Sequence, residues 1–173
     1  MKAAKSQTML PVAGTDMLLP VTELTGEKKG ETITLSAGVH SREYAGVQAL
    51  TELAQELDPR QVRGTIRLLH CCNYTGFLRR SADVVPQDGK SLNREFPGDS
   101  GGTPTQRLAA FLEQEFIERT DYLVDLHSGG FCESLTPHLY FHGTAAPEVR
   151  AVSRQMAELT TVPYLVESSA ENG

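Results

Sequence analysis

The chain has 173 residues, of which 39% are hydrophobic and 22% are charged, and its formal net charge is −6 at pH 7. That length suits one domain with a real core, so we predict a single domain over residues 1–173. The acidic balance, without any basic run, argues against nucleic acid as a partner. Pro11, Gly14 and Pro20 interrupt the N-terminal segment, so neither a signal peptide nor a membrane span is expected.

The three cysteines do not form a disulfide framework, because their number is odd and two of them, Cys71 and Cys72, are adjacent. Free thiols are typical of a reducing compartment, and we therefore expect a cytoplasmic protein. Cys71 and Cys72 follow a predicted strand, so a thiolate metal ligand is one interpretation. Buried structural cysteines are the commoner case.

In the first half of the chain, apolar periodicity predicts strands and one amphipathic helix. Residues 1–30 contain one or two short strands, near 17–24, and a charged turn. The next predicted elements are a strand at 31–37, a helix at 43–57 and a strand at 64–70. The helix stops at Asp58 because a proline follows, and proline disfavours helical geometry in the residue before it.

Residues 72–103 show no periodicity, and a loop of that length is usually functional or disordered. Thr103 and Pro104 then provide the N-cap and first-turn proline of a helix that extends to about 119. The last predicted elements are strands at 121–126 and near 138–141, a helix at 147–160 and a strand at 163–166. This order predicts an α/β fold with a mostly parallel mixed sheet and helices on both faces.

Two histidines and a glutamate lie where predicted strands end. His40 and Glu43 follow the strand at 31–37, and His127 follows the strand at 121–126. In an open α/β sheet, ligands bind outside the carboxyl ends of the strands. Two histidines and one glutamate, with one position left for water, form a catalytic zinc set. The pattern therefore predicts that these three side chains bind one Zn²⁺ per chain.

Asp125 precedes His127 by two residues and shares its face of the predicted strand. Histidines that bind a metal usually donate their second N–H to a carboxylate or a carbonyl. We therefore expect Asp125 to accept that hydrogen bond or to lie close by. The alternative is an ordinary polar residue at the end of a strand.

Three ordered motifs, at residues 38–43, 92–98 and 125–129, resemble those of the succinylglutamate desuccinylase/aspartoacylase family, a branch of the zinc carboxypeptidase clan. The match covers nearly the whole chain from about residue 30. The resemblance implies a zinc-carboxypeptidase-like fold. It also implies a zinc-dependent deacylase that cleaves the amide bond of a small-molecule substrate, a carboxylate-bearing N-acyl amino acid. The zinc ligands implied by the resemblance are His40, Glu43 and His127.

By the same resemblance, Asn93 and Arg94 hold the carboxylate of the substrate, which suits the planar, two-pronged guanidinium. An arginine upstream of that motif usually polarises the scissile carbonyl. Arg80 is the candidate and Arg79 the alternative, and the spacing does not decide between them. Two solvated loop arginines would explain the sequence equally well.

The family's general base is a glutamate on a later strand. Here it is expected beyond Gly173, with Glu167 as a weaker candidate within the chain. We therefore expect the front portion of a longer protein, with the C-terminal part missing and with little activity by itself. A departure from the family stands at Ser41 and Arg42, where a glycine and an acidic or amide residue are common. Arg42 could alter substrate preference.

Two other functions fit the same features. One is a zinc carboxypeptidase that acts on short peptides, since it needs the same metal and carboxylate clamp. The other is a non-catalytic module that retains the fold but lacks the base.

Overall fold

The structure is a computed structural model, and it describes residues 2–169. The chain divides into two compact units, Met1–Glu133 and Ser134–Gly173. Within the described residues, none of the helices is both long and apolar enough to cross a membrane. The single domain over residues 1–173 stays a prediction.

The first unit is built on five strands that form one mixed sheet. They are β1 (Ala4–Pro11), β2 (Leu18–Thr25), β3 (Lys28–Ala37), β4 (Arg63–Leu69) and β5 (Tyr122–Leu126). Their order across the sheet is β1-β2-β4-β3-β5. The β1–β2 and β2–β4 pairs are antiparallel, whereas β3 lies parallel to both β4 and β5. The predicted mixed α/β sheet is confirmed, and its parallel part is the part that carries the candidate site.

Helices cover this sheet on both faces, as predicted. They are α1 (Tyr44–Glu56), α2 (Tyr74–Arg79) and α3 (Pro104–Leu112). Successive side chains of a strand point to opposite faces. Thus Leu68 of β4 packs in one core cluster with Leu50 of α1, whereas its neighbour Leu69 packs in a second cluster with Leu108 of α3. These two core clusters hold the sheet in place from both faces, and the sheet in turn sets the positions of its strand ends.

The second unit contains two parallel strands, β6 (His138–His142) and β7 (Tyr164–Ser168), connected by helix α4 (Pro147–Glu158). Phe141 of β6 and Ala157 of α4 are its buried apolar residues within the described part of the chain. The predicted strand, helix and strand are therefore confirmed, with small shifts at their ends.

Three features of the first unit differ from the prediction. β1 was not predicted as a separate strand, and the predicted loop at 72–103 contains α2 and a 3₁₀ turn at Leu92–Arg94. The helix predicted to reach about 119 is α-helical only to Leu112 and continues as a π-helix over Glu113–Ile117. An edge strand with mostly exposed side chains and a six-residue helix are both too weakly patterned for apolar periodicity to identify.

Candidate metal centre

The parallel pairing of β3 with β5 brings two strand ends to one place. Ala37 of β3 pairs with Leu126 of β5, so the chain continues from one into Gly38 and from the other into His127. Gly38 has a φ of +67°, and a Cβ there would lie 2.7 Å from Cys71 Sγ. Glycine is therefore needed for the turn that leads from β3 to His40.

His40, Glu43 and His127 lie together, with one candidate ligand atom from each within 4.8 Å of the other two. His40 Nδ1 lies 3.0 Å from Glu43 Oε1, and His127 Nδ1 lies 2.9 Å from Glu43 Oε2. The two imidazole rings meet edge to face, with their centroids 5.0 Å apart. The structure thus brings the three predicted ligands to one point, with Glu43 between the two histidines.

Glu43 is held by the backbone as well as by the histidines. Its Oε2 accepts a hydrogen bond from the backbone N–H of Ser128 at 3.2 Å, and the residue is only 8% exposed. The backbone N–H of Glu43 donates to the carbonyl of His40 at 3.1 Å, which closes the turn before α1. A buried carboxylate needs such partners because its desolvation is costly. Ser128 was not identified from the sequence, since backbone donors leave no residue-type signal.

Asp125 fixes the second ring nitrogen of His127. The Nε2–H of His127 donates to Asp125 Oδ2 at 2.8 Å, and Asp125 Oδ1 accepts from the hydroxyl of Ser36 at 2.6 Å. The hydrogen bond to Asp125, together with the charges of Asp125 and Glu43, raises the pKa of His127 to about 9, against the opposing effect of burial. Nδ1 of His127 is therefore the nitrogen that faces Glu43 and His40.

This donor set fits zinc. Two imidazole nitrogens and one carboxylate converge, and a carboxylate orients one of the imidazoles, as is usual at zinc sites. A metal ion would replace the contacts that both histidines make with Glu43. The nearby thiols of Cys71 and Cys72 are buried, and burial raises the pKa of Cys71 to about 12 and that of Cys72 well above its ordinary value. Both are therefore thiols rather than thiolates at neutral pH.

Asn93 and Arg94 lie in the 3₁₀ turn Leu92–Arg94, whose first residue is fully buried. The segment around this turn is attached to α3. Asp88 accepts hydrogen bonds from the backbone N–H and the hydroxyl of Thr105, and the N–H of Asp99 donates to the carbonyl of Gln106 at 3.0 Å. The turn is thus anchored on both sides.

The side chain of Arg94 is exposed, and within residues 2–169 it makes no hydrogen bond or ion pair. Its neighbour Glu95 pairs instead with Lys90 at 3.4 Å, and Asp99 accepts from the N–H of Gly101. Arg94 therefore does not tie its own loop through either of these carboxylates.

Arg80, rather than Arg79, lines a cavity near the N-terminal end of α1. The cavity is lined by Tyr44, Phe77, Leu78, Arg80 and Phe131. Tyr44 directly follows Glu43 in the sequence. Arg80 ends α2 with a φ of +54°, a left-handed geometry that is uncommon for residues other than glycine. The ring of Tyr44 meets those of Phe77 and Phe131 edge to face.

Glu167, the weaker candidate for the base, lies on β7 in the second unit. Its Oε1 is 3.2 Å from Arg150 Nε, so an arginine of the same unit already pairs with it. The base expected beyond Gly173 lies outside the described residues. Both assignments stay predictions.

Comparisons with known proteins identify relatives across most of the chain. Residues 29–173 match the family described as the succinylglutamate desuccinylase/aspartoacylase catalytic domain. The chain is 30% identical over 150 residues to the N-alpha-acetyl-L-2,4-diaminobutyric acid deacetylase of Halomonas elongata. This alignment covers 87% of this chain and 43% of that protein. It is also 30% identical over 118 residues to the succinylglutamate desuccinylase of Pseudomonas paraeruginosa, and this alignment covers 64% of this chain and 35% of that protein.

Solved structures show the same similarity in three dimensions. The succinylglutamate desuccinylase/aspartoacylase from Rhodobacter sphaeroides superposes with a TM-score of 0.80 at 32% identity, covering 96% of this chain and 51% of that one. The product-bound ectoine utilization protein EutE (DoeB) from Ruegeria pomeroyi gives a TM-score of 0.84 at 28% identity, covering 99% and 53%. The chain thus spans about half the length, or less, of these relatives.

Proposed function

The chain belongs to the succinylglutamate desuccinylase/aspartoacylase family, and from this membership we propose that it hydrolyses the amide bond of a carboxylate-bearing N-acyl amino acid with one zinc ion. Two relatives are named as a deacetylase and a desuccinylase of such compounds. The observation that carries the proposal is the convergence of His40, Glu43 and His127, whose ligand atoms lie within 4.8 Å of one another.

In the proposed mechanism, His40, Glu43 and His127 would hold the zinc ion. When bound, zinc supplies Lewis-acid polarisation of the scissile carbonyl and makes water a stronger nucleophile near neutral pH. Asp125 keeps the Nε2 proton of His127 in place at 2.8 Å, so that Nδ1 is left to bind the metal. The N–H of Ser128 holds Glu43 in the orientation that both histidines share.

The substrate would be oriented by arginines whose guanidinium groups the protein leaves accessible. Arg94, exposed and without a partner among residues 2–169, supplies the planar fork that binds a carboxylate, with Asn93 beside it. Arg80, which lines the same cavity as Tyr44, would donate to the carbonyl oxygen of the substrate as negative charge develops there. Removing one such donor typically costs about 2.7–4 kcal/mol of transition-state stabilisation.

Amine release from N-acetyl and N-succinyl amino acids would test this proposal. Zinc-loaded protein is used in excess over the substrate, so that slow turnover by these 173 residues is still detected. We expect release by the parent and by the control variant His138→Ala, whose histidine lies in the second unit, and loss of release in His127→Ala. Equal release by His127→Ala would overturn the proposed metal centre.

Two other outcomes would redirect the assignment. Cleavage of short peptides in preference to N-acyl amino acids would identify a carboxypeptidase. Stoichiometric zinc binding without cleavage of either substrate class, by a protein that includes the residues expected to carry the base, would identify a non-catalytic module.

A further inference from the structure

We propose that Arg42 is a positioning residue that fastens two loops around the metal centre and thereby holds Glu43 in place. The inference rests on the proposed zinc site. Arg42 lies between the ligands His40 and Glu43 in sequence, yet its side chain points to two carboxylates on separate loops. Its Nε is 2.9 Å from Asp83 Oδ1, and its Nη2 donates to Glu133 Oε1 at 3.4 Å.

The first loop is the segment 128–133, which follows His127. Glu133 is bound within this loop as well, since its Oε2 accepts from the N–H of Gly130 at 2.9 Å. The side chain of Arg42 passes directly over Gly130. A Cβ added there would lie 2.8 Å from both Cδ and Nε of Arg42. Arg42 therefore contacts the loop through an ion pair at Glu133 and through close packing on Gly130.

The second loop contains Ala82 and Asp83. Ser41 and Arg42, which are neighbours in the turn between His40 and Glu43, contact these two residues. The hydroxyl of Ser41, itself only 2% exposed, donates to the carbonyl of Ala82 at 2.6 Å. Arg42 faces the next residue, Asp83. Ala82 has a φ of +60°, an uncommon geometry for alanine that persists only when its surroundings fix it. Ser41 and Arg42 contribute to that constraint, together with the hydrogen bonds that Ser81 and Asn73 donate to the carbonyl of Val84.

The consequence for the metal follows from Ser128, the first residue of the 128–133 loop. Its backbone N–H donates to Glu43 Oε2, so the loop's position decides whether this hydrogen bond forms. Arg42 anchors the far end of the same loop at Glu133. Loss of the Arg42 contacts frees the loop, weakens the hold on Glu43, and so loosens the ligand set without removing a ligand.

The test compares Arg42→Ala and Arg42→Lys with the parent by two readouts, the rate of zinc release to a chelator and the visible absorption spectrum of the cobalt(II) form. We expect Arg42→Ala to release zinc about three- to tenfold faster, since partly exposed ion pairs make modest contributions, and to change the cobalt spectrum. Arg42→Lys should restore part of the rate. Arg119→Ala is the control, because Arg119 also pairs with a glutamate, Glu115, at 2.7 Å in the same unit.

A second variant tests the contact itself. Gly130→Ala should displace the Arg42 side chain and reproduce the faster release. In the Arg42→Ala background, the same change should have little further effect, because the clash is gone. Release rates and cobalt spectra of Arg42→Ala and Gly130→Ala that match the parent would overturn the inference while leaving the zinc site intact. Failure of the parent itself to bind zinc would overturn the proposed function and, with it, this inference.

Discussion

The candidate metal centre and the segment around Arg94 differ in how many of their polar groups already have hydrogen-bond or ion-pair partners within the protein. Both carboxylate oxygens of Glu43 and both of Asp125 have partners at 2.6–3.2 Å. The guanidinium of Arg94 has none among residues 2–169, although its backbone turn is firmly anchored. The polar groups of the first region are already paired with one another, and the second region presents a fixed but unpaired cation.

This difference separates two kinds of substitution. A change at the metal centre breaks contacts that the protein makes with itself, so it should affect both metal binding and the surrounding structure. A change at Arg94 removes no hydrogen bond or ion pair among residues 2–169, so it should mainly affect the binding of a ligand.

The largest expected effect is at His127. His127→Ala removes one of three ligands, and we expect zinc affinity to fall by more than about 100-fold, beyond the 10–100-fold typical of residues that merely orient a ligand. Metal analysis after dialysis against a weak chelator would measure this loss. His138→Ala should retain zinc, and retention by His127→Ala as well would remove His127 from the ligand set.

Substitution at Arg94 should change selectivity without changing stability. Arg94→Lys keeps the charge but loses the fork, and a charge-assisted hydrogen bond is worth about 1.5–3 kcal/mol. We expect weaker binding of N-acyl amino acids and a smaller preference for the free acid over its methyl ester. The melting temperature should stay close to that of the parent.

Arg79→Lys is the matched control for Arg94→Lys, because Arg79 is also exposed but does not line the cavity. It should leave the acid-over-ester ratio unchanged. A lower melting temperature of Arg94→Lys with an unchanged ratio would assign Arg94 a structural role instead.

Asp125 should control how zinc affinity depends on pH. In the metal-free protein the pKa of His127 is raised to about 9, first by its hydrogen bond to Asp125. Zinc needs the neutral ring, so binding displaces a proton below that pH, and affinity should rise by about tenfold per pH unit between 7 and 8.5. In Asp125→Asn the pKa should fall and this slope should flatten. Identical slopes in parent and variant would contradict the role of Asp125.

The same raised pKa has a defined effect on the metal-free fold. Protonation of His127 stabilises the folded state below the ordinary histidine pKa of about 6.5, and this contribution is lost as the pH rises through about 9. Asp125→Asn should therefore lose stability mainly at the lower end of this range. Denaturant unfolding of metal-free protein at pH 6 and pH 9 would measure the difference.

The smallest expected effect concerns the thiols next to the metal centre. At pH 8 an alkylating reagent should modify Cys132, which is exposed, and should leave Cys71 and Cys72 unmodified because they are buried with raised pKa values. Peptide mapping of the alkylated protein checks this. Labelling of Cys71 or Cys72 that zinc suppresses would indicate a thiolate ligand and a different metal centre.

Much of the fold was predictable because its central strands are apolar runs, and the candidate site was predictable because polar residues follow directly after two of these strands. Apolar runs located β3 and β5, and their parallel pairing placed His40 and His127 together. β1 was missed because most of its side chains are exposed. α2 was missed because six residues are too few for helical periodicity, although Asn73, whose side chain accepts from the N–H of Gly76, was an available N-cap signal.

The parts of the site that the sequence did not reveal depend on contacts between distant loops. Nothing near Arg42 in sequence indicates that it meets Glu133, since 91 positions separate them. Likewise, Arg79 and Arg80 are adjacent residues of one type, and only the left-handed backbone at Arg80 and the cavity it borders distinguish them. Such contacts are set by tertiary packing rather than by local pattern.

The most direct test of the metal centre is zinc X-ray absorption spectroscopy on the zinc-loaded protein. The arrangement of His40, Glu43 and His127 predicts only nitrogen and oxygen neighbours at about 2.0–2.2 Å, with the multiple-scattering signature of two imidazoles. In His127→Ala the signature should decrease to that of one imidazole. A sulfur neighbour at about 2.3 Å, or an unchanged imidazole count in the variant, would contradict the proposed ligand set.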